Sequence, residues 1–143
     1  MKITVQTLMA GVKNVNGHMY SKETLEKIMH NSKDEIKFRK ILLFATPING
    51  NEVLDFRQVV GFVTDCFMEM ERLCFRISLF RPETGYNDAL KTGVMAICPQ
   101  IGGADVNNDE IVDANGIYTM NLGTYALSEV AEYYKDSIKI EEE

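Results

Sequence analysis

The sequence predicts an α+β fold: a mixed, mainly antiparallel β-sheet, or a partly open barrel, with one amphipathic helix and one short helix. Three observations predict it. Val59 to Met70 and Leu73 to Phe80 carry the strongest β signals, with Phe75, Ile77 and Leu79 on one face and Cys74, Arg76 and Ser78 on the other, the alternation of half-buried strands. Leu25, Ile28 and Met29 make one apolar stripe behind Ser21, which is the spacing of a helix. The 143 residues are 45% hydrophobic, enough for one core of ordinary density and hence one domain.

Taken in order, Ile3, Val5 and Leu8 with polar residues between them mark an opening strand, and Asn14, Asn16 and Gly17 mark the loop after it. Ser21 is placed to cap a helix from about Ser21 to Asn31, with Glu23 favouring the positive helix start. Tyr20 and Leu25 have the spacing of a hydrophobic staple. Ile41 to Phe44 is a continuous apolar run of strand length, stopped by Thr46-Pro47 and the turn-forming Asn49-Gly50. Glu71-Arg72 suggests the tight hairpin between the two long strands. A short helix follows over Thr84 to Thr92, ended by Gly93.

Val94 to Ile101 returns as an apolar segment whose Pro99 cannot donate to a sheet ladder, so an edge, a bulge or a strand end is expected there. Ile111-Val112 and Ile117 to Leu122 flank Asn115-Gly116, which suits a hairpin turn with positive φ. Ser128 to Tyr134 reads as strand or short helix. Residues 135–143, ending in Glu141-Glu142-Glu143, read as a frayed acidic tail behind a single domain over residues 1–134.

Charge narrows the function classes. Fifteen basic against 21 acidic residues give a net charge of −6, which argues against tracking a phosphate backbone. The run Lys33 to Lys40 is interleaved with Asp34, Glu35, Ile36 and Phe38 and reads as a solvated edge. Cys66, Cys74 and Cys98 lack metal or redox spacing and read as reduced core residues. Met29, Met68, Met70, Met95 and Met120 read as core filling. No apolar run is long enough to suggest secretion or a membrane span, so folding in a cytoplasm is the default expectation.

Few residues offer chemistry. Asp105, Asn107 and Asp109 have the opening spacing of a calcium loop, but Glu110 stands where that loop needs glycine and Gly116 where it needs a bidentate glutamate, so a polar hairpin loop is expected. His18 and His30 have no second ligand at zinc spacing, and no glycine-rich phosphate loop is present. No metal and no cofactor are expected. Cys98 is the one candidate nucleophile in a suggestive place, before Pro99 and a glycine pair at a strand end, with His18 or His30 as the base a thiol would need.

In order, these elements resemble the prohead (capsid maturation) protease superfamily of tailed phages, over about Val5 to Glu132. Asn14-Val15-Asn16-Gly17-His18-Met19-Tyr20-Ser21, with the helix after it, is similar to that family's Asn-x-Asn-Gly-Arg-x-Tyr-Pro opening, and is the most specific match. Ile41 to Pro47 is similar to the strand that delivers the family's catalytic histidine in an Asp-His-Pro-like motif; Val59 to Asp65, the strand pair, the helix Thr84 to Thr92 and Gly93-Val94 follow in the family's order.

The departures fall on the chemistry the resemblance implies. Thr46 stands at the expected histidine, and the expected serine aligns with Cys98, Pro99 or Gln100 depending on register. A threonine cannot shuttle protons near neutral pH as imidazole does. The resemblance with these losses implies a non-enzymatic phage structural or assembly protein: a capsid or prohead packing module, partnered by capsid or scaffold proteins and by further copies of itself, found in the host cytoplasm during assembly or in the virion. Two rivals stand beside it: a cysteine-variant maturation protease using Cys98 and His18 or His30, and a small phage effector that binds a host protein or ligand.

Overall fold

The computed structural model describes residues 2–13, 18–38, 41–45, 56–80, 95–102, 105–124 and 138–141. The described residues form ten strands and one α-helix: β1 (Lys2–Met9), β2 (Met19–Tyr20), α1 (Lys22–Lys37), β3 (Leu42–Phe44), β4 (Val59–Glu69), β5 (Arg72–Leu79), β6 (Met95–Gly102), β7 (Asp105–Val106), β8 (Ile111–Asp113), β9 (Gly116–Thr124) and β10 (Ile138–Glu141). Seven form one sheet in the order β10-β1-β5-β4-β3-β9-β6; β2, β8 and β7 form a second, small one. In the large sheet only the β3–β9 pair is parallel. The sheet stays open, so of the two architectures the sequence allows, the open one is observed. The fold is α+β, as expected.

Helix α1 begins where the sequence places it. Ser21 is extended, at φ −78 and ψ 158, and its Oγ accepts a hydrogen bond from the Thr24 N–H at 3.1 Å, satisfying one of the donors a helix start leaves open. Leu25 is buried and Tyr20 packs against the same core, as a staple would. The helix ends at Lys37, beyond the expected Asn31. The stripe continues through Ser32, which is buried, and Ile36, which packs against the core, and this contact carries the helix through much of the run read as a solvated edge.

One cluster buries Ile3, Val5, Phe75, Ile77, Val63, Cys66, Leu43, Met120 and Ile97 from six strands together with Leu25 and Ile28 of α1. Cross-strand partners share a face, and Ile3 with Ile77, Val5 with Phe75, and Leu43 with Met120 are such partners. The inner face of the sheet is therefore the one under α1. Two bulges keep this face in phase. One lies in β1 between Gln6 and Met9, where Thr7 donates to the Leu73 carbonyl at 2.8 Å. The other lies in β4 between Val63 and Asp65, leaving Thr64 to donate outward to the Arg76 carbonyl at 3.2 Å. Cys74, expected on the polar side of β5, is also buried.

Several expectations are corrected. The β4–β5 turn lies at Met70-Glu71, since Glu69 pairs with Arg72. Met70 is consequently exposed at the turn instead of filling the core; Met120 does fill it, and Met29 and Met68 pack at its margin. Asn115-Gly116 is not a hairpin turn: β8 pairs with β2 and β7, while β9 pairs with β3 and β6. Gly11, at φ 73, is the one glycine with positive φ among the described residues. The dipeptide hands the chain from one sheet to the other, and Asn31 of α1 holds it by donating to the Asn115 carbonyl at 2.6 Å. Residues 138–141 are not a frayed tail but strand β10, paired with β1 from Lys2↔Glu141 to Val5↔Ile138. Pro99 lies in β6, the outermost strand of its side of the sheet, as a residue without an N–H should. The expected short helix Thr84 to Thr92, the turn at Asn49-Gly50 and the segment Ser128 to Tyr134 lie outside the described residues.

Gly61 marks the tightest backbone approach in the core: a Cβ there would collide with the Ser78 carbonyl oxygen on β5. Gly61→Ala is expected to destabilise the fold by about 1–3 kcal/mol, the usual cost of overpacking, read as a lowered urea midpoint with an unchanged slope.

Candidate functional site

The strand register brings the sequence candidates into one neighbourhood. On β9, Asn121 is the partner of Phe44 on one side and of Cys98 on the other, and Thr119 is likewise the partner of Leu42 and of Gln100. Pro99 is in turn the partner of Met120. Leu43, Ile97 and Met120 belong to the buried cluster beneath α1, while Phe44 and Thr119, one position on in their strands, are also buried. The three positions where the resemblance allows a serine are thus paired with Asn121, Met120 and Thr119 of β9.

Thr119 and Asn121 were not singled out from the sequence. Their signal is present in the alternation of Gly116–Thr124, but it acquires meaning only once β6 is known to lie alongside. Thr119 is 4% exposed, and its Oγ1 has no hydrogen-bond partner. A buried hydroxyl left this way costs about 1–3 kcal/mol. Thr46 lies outside the described residues; Ala45, just before it, donates its N–H to the Gln58 carbonyl at 2.8 Å.

The candidate bases sit elsewhere in the fold. His18 precedes β2 of the small sheet, with Nε2 3.2 Å from Glu110 Oε2, while the Met19 N–H donates to the Glu110 carbonyl at 2.9 Å. Glu110 has a left-handed backbone, φ 63, and ends the β7–β8 turn. His30 is exposed on α1, the helix that covers the inner face.

The acidic loop is a built turn. Asn107 Oδ1 accepts from the Asp109 N–H at 2.8 Å and the Ile111 N–H at 3.0 Å, while the Asn107 N–H donates to the Ile111 carbonyl at 3.0 Å. The oxygen that a cation would need is spent on the turn, and no group of three His, Cys, Asp or Glu residues able to hold a metal occurs among the described residues. Nearby, Lys27 donates to Asp113 Oδ1 at 2.6 Å, and this hydrogen bond holds the Asp113 carboxyl below its ordinary range. The pair is exposed, so salt screens it. It ties α1 to β8.

Cys66 and Cys74 are buried thiols outside any disulfide, and Cys74 Sγ donates to the Arg72 carbonyl at 3.6 Å. Their strand partners, Phe75 and Phe67, are neighbours of each other's cysteine, so the two thiols lie on opposite faces and do not face one another. Burial, reinforced by the Asp65 carboxylate, pushes the Cys66 thiol up to about 12 from 9.0. A thiol held neutral in the fold contributes stability that is intact below pH 9.0 and is lost as pH rises toward 12. Cys66 is accordingly expected to resist iodoacetamide at pH 8 in the native protein and to react once urea unfolds it, read by mass spectrometry of its peptide.

No protein-family model matches this sequence, and no curated protein matches it. Among solved structures, the chain is similar to the bacteriophage T4 capsid assembly protease, gp21. The TM-score is 0.63 at 19% sequence identity, over 86% of this chain and 77% of that one. At that identity the likeness establishes the fold: this α+β chain, with its one described helix and mainly antiparallel open sheet, has a prohead-protease-like fold.

Proposed function

We propose that this chain is a non-enzymatic phage assembly protein that uses a prohead-protease-like fold as a packing module in the capsid or prohead. The observation that carries the reading is the register around Cys98: its partner on β9 is Asn121, and the partner of Asn121 on β3 is Phe44, and neither residue type can accept a proton near neutral pH. A thiol or hydroxyl nucleophile needs a base, and that base needs a group to orient it.

Two further features support the reading. Thr46 stands where the resemblance expects histidine. His18 is engaged by Glu110 in the small sheet, and His30 belongs to the helix over the inner face of the large one. The likeness to the capsid assembly protease extends over 86% of this chain, as a fold kept for packing would allow. Removing both nucleophile and base from such a unit leaves at most the modest help of binding and dipoles.

The test is incubation of the purified protein with capsid and scaffold proteins of its phage. Intact masses are expected to remain unchanged over hours, while the protein co-sediments with assembled shells. Cleavage that disappears in Cys98→Ala would overturn this reading in favour of a cysteine-variant maturation protease. Retention by host proteins but not by capsid components would favour an effector.

A further inference from the structure

We draw no further inference here: the strongest candidate, the outer edge of β6 at the end of the large sheet, a strand without a charged residue that pairs with β9 on its other side, carries nothing because nothing in the structure shows what covers it.

Discussion

Leu25 and Ile28 of α1 share one buried cluster with residues from six strands, and this seating of helix on sheet decides which face of every strand is inward. Burying each of these two side chains contributes about 1.5–3 kcal/mol, but their larger effect is on register. A strand shifted by one residue would turn its whole apolar set outward. Register shifts at Thr7-Leu8 and Thr64, and two more where β3 meets β4 and β6 meets β9, absorb the odd residues that would otherwise break this phase. The inward place of Ile97 and Met120 fixes the register in which β6 lies on β9, so the neighbourhood of Cys98 follows from core packing.

That dependence separates what was legible in the sequence from what was not. The Ser21 cap, the staple from Tyr20 to Leu25, the long strand pair and the place of Pro99 were readable, because each is written in neighbouring residues. The partners of β8 and β9 were not. Asn115-Gly116 carries a strong local turn signal, yet the strands on either side belong to different sheets, and only contacts with β2 and β3, far away in sequence, reveal it. The tail was misread for the same reason: Ile138–Glu141 looks like a charged end until β1 is seen to need a partner. The ordered motifs from Asn14 to Val94 correctly implied a prohead-protease-like fold.

The candidate site was legible as residue types but not as an arrangement. Thr46 and the trio Cys98, Pro99 and Gln100 were visible as departures, while the partners of that trio across the sheet required the pairing of β6 with β9. Thr119 was invisible altogether, since a threonine in a strand is ordinary until its hydroxyl is found buried without a partner.

The pairing of β10 with β1 has a consequence for the order in which the molecule is made. Strand β1 is made well before the strand that occupies its outer edge. Until β10 arrives, a row of backbone donors and acceptors on β1 is bare, open to water or to any other extended segment. Contacts between residues so distant in the chain form slowly, because the loop between them must close first. A chain interrupted before Ile138 is thus left with an adhesive edge on β1.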